Sequence, residues 1–349
     1  MSNKTTDTFN AFVINKNPDQ SAKLKTLGAI TLLTLADLPD ENVLVAVEYS
    51  SLNYKDGLVV TGKGRVCRSL PMVAGIDLAG TVIDSADERF KAGDKVLVNG
   101  YGLSESHWGG YSQMQRINPD FLVKLGSLDA DGGAHCCFTT EQAMAIGTAG
   151  YTAMLSVMAI QDHGVKPEDG NVLVTGAAGG VGSMAVMLLA KLGYQVTAST
   201  GRVESSRDFL IALGASDVID REAFNTESKP LATEQWAAVV DSVGAQPLAS
   251  VLAQVKYEGI VAACGLAAGM GLPTTVAPFI LRGVTLRGID SVMASQPRRR
   301  RAWAAMAQLL DTDLLASLYE VKPMSDLPEL GQQILAGQVR GRVVIDVNA

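Results

Sequence analysis

The sequence predicts an α/β protein in which a doubly wound parallel sheet is joined to a β-rich domain. Three observations carry that expectation. Val172-Leu-Val-Thr-Gly-Ala-Ala-Gly-Gly-Val-Gly182 sets a short apolar run and a Gly-rich turn ahead of an apolar helical pattern, Met184 to Leu192. Beyond it, apolar runs alternate with helical patterns as far as residue 288, the order of a parallel sheet covered on both faces. Before residue 137 the texture differs, with short alternating runs separated by Gly turns and little helix.

The N-terminal third is read as a barrel or sandwich. Asn42 to Ser50 alternates Val43, Val45 and Val47 against Leu44, Ala46 and Glu48, which suits a partly buried strand. Gly75 to Asp84, Lys95 to Asn99 and Tyr111 to Ile117 follow as strands, set off by turns at Asp87-Glu88 and Ala92-Gly93-Asp94. Thr140 to Ile160 is helical in composition, with a break between Gly147 and Gly150. Strands are then expected at Asn171–Thr175, Gln195–Ser199, Asp217–Ile219, Ala237–Asp241, Gly259–Cys264 and Val284–Gly288. Helices fall between them at Val181–Leu192, Glu204–Leu213, Gln246–Gln254 and Thr275–Leu281. After Ser291 the alternation stops. Pro297 to Leu310 reads as a helix, Ser325 as the cap of another over Asp326 to Leu335, and Gly341 to Val347 as a lone strand. A lone strand is poorly stable, so it is expected to return to the N-terminal β-region and make that domain discontinuous.

A chain of 349 residues suggests two domains, at roughly 100–200 residues each. The expected division is 1–136 with 296–349, and 137–295. A net charge of -7 and a pI near 5.1 argue against a nucleic-acid-binding surface. No long apolar run is free of charges or Gly breaks, and Met1 to Asn10 lacks a signal-peptide core, so a cytoplasmic protein without a membrane span is expected. Cys67, Cys136, Cys137 and Cys264 show no Cys-x-x-Cys spacing, and His107, His135 and His163 lie far apart. His135 beside Cys136 has no third ligand. The expectation is reduced thiols and no metal.

The glycines of the 172–182 stretch let a backbone approach a pyrophosphate, and the helix behind them offers free N–H groups. The strict dinucleotide pattern wants Gly at 177, 179 and 182, and 177 is Ala. A Gly-rich turn also serves as a plain connector; the flanking strand and helix favour nucleotide binding. An NAD site places an acid about 20 residues on, at the end of the second strand. Here that strand ends Thr197-Ala-Ser-Thr-Gly-Arg202, and the first acid, Glu204, follows a turn. Hydroxyls, a Gly and Arg202 suit a 2′-phosphate, with Arg221 as a second cation, so NADPH is the expected cofactor.

With these stretches in place, the chain resembles the zinc-free branch of the medium-chain dehydrogenase/reductase superfamily, and within it the bacterial acrylyl-CoA reductases. The likeness runs through Ser50-Ser-Leu-Asn-Tyr-Lys-Asp-Gly57, Gly75-Ile-Asp-Leu-Ala-Gly80, His107-Trp-Gly-Gly110, Gly147-Thr-Ala-Gly150 and Thr175 to Ser183. It continues through Ala262 to Ala267, Leu272 to Thr275 and Gly288 to Met293. The resemblance implies a Rossmann domain and a discontinuous GroES-like catalytic domain. Zinc-dependent relatives place a His ligand where Ile76 stands. The resemblance implies NADPH contacts at Tyr54, Ala178, Gly179, Gly180, Val181, Thr200, Gly201, Arg202, Arg221, Leu266, Ile280 and Ser291. A further contact in relatives falls at Gly337, which has no side chain to offer.

The implied reaction reduces the carbon–carbon double bond of acryloyl-CoA. Hydride adds at the β-carbon, negative charge develops on the thioester oxygen, and a proton reaches the α-carbon. The protein must position the reactants and stabilise that oxygen. Asn53, Tyr54 and Asp56 are the catalytic candidates; Asn53 and Asp56 serve equally well as turn residues that satisfy backbone groups. The run Arg298-Arg-Arg-Arg301 either holds coenzyme A phosphates or forms a solvated helix face. The rivals are an NADPH:quinone reductase and a non-enzymatic NADPH-binding protein. The resemblance also implies a homodimer paired through Val284 to Gly288.

Overall fold

The alternation at residues 43–51 becomes the strand Val43–Ser51, and a seven-stranded sheet is assembled around it. The sheet runs in the order Tyr319–Pro323, Arg342–Asp346, Val43–Ser51, Asp77–Ser85, Lys95–Asn99 and Val123–Lys124, while Met114–Ile117 also pairs with Val43–Ser51. The computed structural model describes residues 8–19, 21–126, 138–227 and 229–349. It divides into one unit of Met1–Thr148, Val292–Gln308 and Leu315–Ala349, and a second of Ala149–Ser291 and Leu309–Leu314. The division falls at Thr148 rather than near residue 137, at the point where Gly147 leaves helical geometry.

Two strands of the first unit escape the alternation test. Thr8–Lys16 and Thr26–Thr34 pair antiparallel, and Thr8–Lys16 also pairs with Met72–Val73. Ala11, Phe12, Val13 and Ile14 are all buried, so the first strand reads as a continuous apolar run. Leu27, Ile30 and Leu32 are exposed on the second, so its apolar residues do not mark a core face. The terminal strand is Arg342–Asp346 and it is not alone. It runs antiparallel to Val43–Ser51, as its return required, and parallel to Tyr319–Pro323, whose sequence has no strand pattern. Ser325 is not a helix cap: it lies inside the 3₁₀ turn Met324–Asp326, and the helix Leu327–Leu335 begins after it, with Pro in the first turn.

Thr140–His163 is a 24-residue stretch whose backbone leaves helical geometry at Gly147 (φ 51°, ψ -163°). By length and composition it could cross a membrane, but 94% of its apolar window is buried inside the protein. It is a core helix. The expected break at Gly147–Gly150 falls at Gly147.

In the second unit, six parallel strands stand in the order Asp217–Asp220, Val196–Thr200, Val172–Val174, Trp236–Asp241, Val255–Ala263, Thr285–Gly288. The chain reverses its direction of travel across the sheet between Val172–Val174 and Trp236–Asp241, which makes that crevice the switch point where ligands of open α/β sheets bind. Leu173, Val239, Val251 and Val261 are wholly buried beneath it. The helices Gly180–Lys191, Val203–Ala212, Ala245–Leu252 and Ala277–Arg282 connect the strands.

Trp303, on the helix Gln296–Leu309, is fully buried and meets Phe138 edge to face at 6.4 Å. Trp303→Ala is expected to cost the first unit about 3–5 kcal/mol, because little can collapse into the space left by an indole. Urea unfolding checks this, and an unchanged midpoint would contradict the packing.

Candidate active site

In the first unit the candidates Asn53, Tyr54 and Asp56 start the short helix Tyr54–Val60. Asn53 is extended (φ -123°, ψ 164°), and its backbone N–H donates to Asp56 Oδ2 at 2.9 Å. Asp56 is fully buried and also accepts from the Ile76 N–H at 3.0 Å. Asn53 Nδ2 lies 3.0 Å from Asp77 Oδ2 and 3.1 Å from both Ser51 Oγ and Asp56 Oδ2. Asp77 is the hub. Its carboxylate accepts from Ser51 Oγ (2.5 Å), Asn53 Nδ2, Asn99 Nδ2 (2.8 Å), the Thr148 N–H (2.9 Å) and Thr148 Oγ1 (2.5 Å).

Arg342 closes the cluster. Its Nε donates to Ala145 O at 2.8 Å and its Nη1 to Leu52 O at 3.1 Å. Gly147 is obligatory here, since a Cβ would lie 2.5 Å from Arg342 Nη2 and 2.8 Å from Ser51 Oγ at a φ of 51°. Burial, and then the charge of Asp77, push Asp56 up to about 7. Burial pushes Arg342 down, while both aspartates pull it back up. Tyr111 donates to Ser51 O at 3.0 Å, and its burial raises its hydroxyl well above the usual phenol range.

These contacts revise the catalytic set. Asn53 and Asp56 spend their polar atoms on one another, on backbone and on Asp77, and neither is presented to a ligand. Tyr54, at 45% exposure, is the one of the three that faces outward. Asp77 and Arg342, which organise the cluster, are not among the residues that sequence reasoning selects. A charge directly ahead of an apolar run, Asp77 before Leu78-Ala79 and Arg342 before Val343-Val344-Ile345, is the signal that marks both.

In the second unit, Gly176 takes φ 61° and opens the turn. A Cβ on Gly182 would collide with Gly176 O and lie 2.5 Å from Ala177 Cα, so helix and strand approach as closely as a dinucleotide turn requires. Ala177 is wholly buried with its N–H bonded to Ser199 O at 2.9 Å, which is why Ala serves there. Ala178 is buried, Gly179 is the N-cap residue, and Gly180 and Val181 begin the 12-residue helix. The N–H groups of that first turn have no partner within the helix. Asp241 braces the turn, accepting from Thr175 Oγ1 at 2.7 Å and the Gly244 N–H at 2.9 Å.

At the neighbouring strand ends, Thr200 pairs with Asp220. The Arg202 N–H donates to Thr200 Oγ1 at 3.2 Å, and Arg221 lies over Gly201, where a Cβ would sit 2.6 Å from Nε. Thr200, Gly201, Arg202 and Arg221 are therefore brought together, and this end of the sheet fits a 2′-phosphorylated nucleotide. A Cβ on Gly244 would lie 3.1 Å from Leu266 Cα, so Leu266 comes close to that turn while its side chain stays exposed. Ile280 is exposed on Ala277–Arg282, and Ser291 is partly buried. Gly337 adopts φ 69°, a backbone role in keeping with its missing side chain.

The arginine run is not one surface. Arg299 is fully buried, stacks 4.2 Å over the Tyr101 ring and donates to Asn99 O at 2.7 Å, so it is structural; Arg300 and Arg301 are exposed. Ile76 stands where the resemblance places a His ligand in zinc-dependent relatives, and no group of three metal-binding side chains forms among the described residues. His135, Cys136 and Cys137 lie outside those residues. Cys264 is pushed up to about 12 by burial and by Asp241, an unreactive thiol.

A β-rich unit completed by a C-terminal strand, together with a six-stranded parallel sheet carrying a glycine turn at its switch point, defines a two-part dehydrogenase or reductase. Residues 39–148 match the alcohol dehydrogenase GroES-like domain, and residues 180–312 match the zinc-binding dehydrogenase domain. The chain is 53% identical over 343 residues to acrylyl-CoA reductase of Ruegeria pomeroyi, covering 98% of this chain and 100% of that one. It is 42% identical to a putative quinone oxidoreductase of Bacillus subtilis, covering 97% and 98%. The Salmonella enterica yhdH oxidoreductase, solved in complex with NADP, superposes with a TM-score of 0.90 at 47% identity, covering 97% and 99%. The chain belongs to the medium-chain dehydrogenase/reductase superfamily, in the branch that holds the acrylyl-CoA reductases and their quinone oxidoreductase-like relatives.

The proton on Asp56 has a measurable consequence. Between its ordinary value of 3.8 and the folded value of about 7, the folded chain keeps a proton that the unfolded chain has lost. This contribution to stability is therefore fully present at low pH and falls as the pH rises through that window. Asp56→Asn cannot titrate and carries only a fixed offset. The stability difference should shift in the variant's favour from pH 3.8 to about 7 and then level off. Urea titrations across that range check it, and a pH-independent difference would rule the proton out.

Proposed function

We propose that this protein reduces the carbon–carbon double bond of acryloyl-CoA to propanoyl-CoA with NADPH. The observation that carries the reading is full-length likeness to a relative named acrylyl-CoA reductase, at 53% identity. The cluster of Thr200, Gly201, Arg202 and Arg221 supports NADPH over NADH, because no acid ends the strand Val196–Thr200 and the Arg221 side chain lies over Gly201, next to Arg202. NADPH, when bound, supplies the hydride that adds at the β-carbon.

The chain's own residues do the rest. The first-turn N–H groups of Gly180–Lys191 and its dipole hold the pyrophosphate at Ala178 to Val181. Arg202 and Arg221 bind the 2′-phosphate through charge-assisted hydrogen bonds. Leu266, Ile280 and Ser291 complete the nucleotide contacts. Tyr54 donates its hydroxyl to the thioester oxygen as negative charge develops there, a contribution worth about 10²–10³ in rate for one well-placed donor. Asn53 and Asp56 fix the loop that carries it. The unit of Ala149–Ser291 and Leu309–Leu314 serves as the nucleotide-binding domain and the other unit as the catalytic domain, in a cytoplasmic enzyme.

The likeness to a putative quinone oxidoreductase favours one alternative, NADPH:quinone reduction. NADPH oxidation followed with acryloyl-CoA, crotonyl-CoA and a simple quinone separates the two. Turnover with acryloyl-CoA is expected, and turnover with the quinone alone would sink the proposal. Arg221→Ala should raise the KM for NADPH about ten- to hundredfold and leave that for NADH unchanged, the loss of a hydrogen bond to a charged group. An equal effect on both cofactors would remove Arg221 from the phosphate site.

The strand Thr285–Gly288 ends the parallel sheet, with exposed Ile280 and Leu281 on the helix before it. An edge of this kind pairs readily with a second chain, and a homodimer through it is the proposed assembly. Light scattering should give twice the 36.7 kDa chain mass, and the mass of a single chain would refute it.

A further inference from the structure

A pocket of about 640 Å³ opens in the first unit between the strand Val123–Lys124, the turn at Asp120 and the start of the helix Gln296–Leu309. That volume is in the range of small-molecule sites. Its floor is apolar, from Pro119, Leu122 and Val123, and its cations are Arg89, Lys124 and Arg300. Two of these are already neutralised. Arg89 bonds Asp87 at 2.8 Å and Asp120 at 2.7 Å, and Lys124 bonds Asp94 at 2.7 Å. Arg300 forms no ion pair among the described residues and is exposed at the rim.

Gln296 adds a second demand. Its Nε2 donates to Asp120 O at 2.6 Å, while its Oε1 is buried without a hydrogen-bond partner. A buried acceptor left unpaired is unfavourable, and a turn of the Gln296 amide that brings Oε1 into the pocket lets a ligand N–H remove the penalty. An apolar plate, a donor for Oε1 and an anionic group for Arg300 together describe a phosphorylated adenine nucleotide.

We infer that this pocket seats the nucleotide of coenzyme A, with the exocyclic amine of adenine on Gln296 Oε1 and a phosphate on Arg300. The inference rests on the acyl-CoA reading above. A continuous run of contacts joins the pocket to Tyr54. Lys55 bonds Glu105 at 2.5 Å, and Tyr101 of the same loop stacks on Phe121 at 4.4 Å, between the lining residues Asp120 and Leu122. Arg299 stacks on Tyr101 and is buried, while its neighbour Arg300 is exposed and available to the ligand. The same chemistry is present in the adenosine of NADPH, and a pair of thioester substrates tells the two apart.

The experiment compares Arg300→Glu with wild type on two substrates, acryloyl-CoA and acryloyl-pantetheine, which lacks the nucleotide. Arg300 is exposed, so the variant should fold as the wild type does. The expected result is a rise of about tenfold or more in the KM for acryloyl-CoA, the loss of one charge-assisted contact turned into repulsion. The KM for acryloyl-pantetheine, the KM for NADPH and kcat should stay unchanged. Adenosine 3′,5′-bisphosphate should compete with acryloyl-CoA on the wild type and do so more weakly on the variant. Equal effects on both thioesters, or none, would overturn the inference while leaving the reductase reading intact. A raised KM for NADPH alone would assign the pocket to the cofactor and also overturn it. If the wild type turns over neither thioester, the reductase reading itself fails and the inference falls with it.

Discussion

The carboxylate of Asp77 is the constraint on which the first unit depends. It is wholly buried, and its two oxygens accept from Ser51, Asn53, Asn99 and both the N–H and hydroxyl of Thr148. Those donors come from the end of one strand, the start of a helix, the end of a second strand and the kink after Gly147. Arg342, from the last strand, binds the carbonyls of Ala145, just before that kink, and Leu52, just before the helix start. A buried charge is tolerated only when its lone pairs are filled and an opposite charge is near, and both conditions are met here. Breaking one partner leaves the rest uncompensated, so the cluster acts as one piece.

The second unit solves its problem differently. Its turn needs few side-chain contacts, because glycine lets backbone meet backbone at Gly176 and Gly182. The specificity elements are instead placed at strand ends, where the Arg221 side chain lies over Gly201 and the Arg202 N–H is tied to Thr200. A parallel sheet makes this economical, since adjacent strands deliver residues far apart in sequence to one edge. Asp241 is the counterpart of Asp77 in this unit, a buried acid whose hydrogen bonds hold loops rather than touch a ligand.

What was legible in the sequence follows from these two designs. The parallel strands, the glycine turn and the missing acid after Val196–Thr200 depend on local pattern, and all could be read. Thr26–Thr34 and Tyr319–Pro323 could not, because neither hides one apolar face cleanly. Asn53 and Asp56 looked catalytic because polar residues on a loop do; only the contacts with Asp77 and Ile76, distant in sequence, show them to be inward-facing. The arginine run, left open between two roles, divides for the same reason. Nothing local separates Arg299, stacked on Tyr101, from its exposed neighbour Arg300.

Burial, and then the charge of Asp77, make Asp56 hold its proton more tightly than an ordinary carboxyl. Asp77 and Arg342 already cancel, so a second ionised carboxylate would bury an unpaired negative charge beside the first. The protein avoids this by raising Asp56 to about 7, with burial as the larger cause. The loop thereby gains a second buried acid as a hydrogen-bond anchor without a matching cation. Tyr54 lies between the two anchored residues, and its backbone is fixed on both sides while its ring stays exposed. A donor held this way needs little reorganisation as charge develops on a substrate oxygen, which is the condition under which a single hydrogen bond accelerates a reaction most.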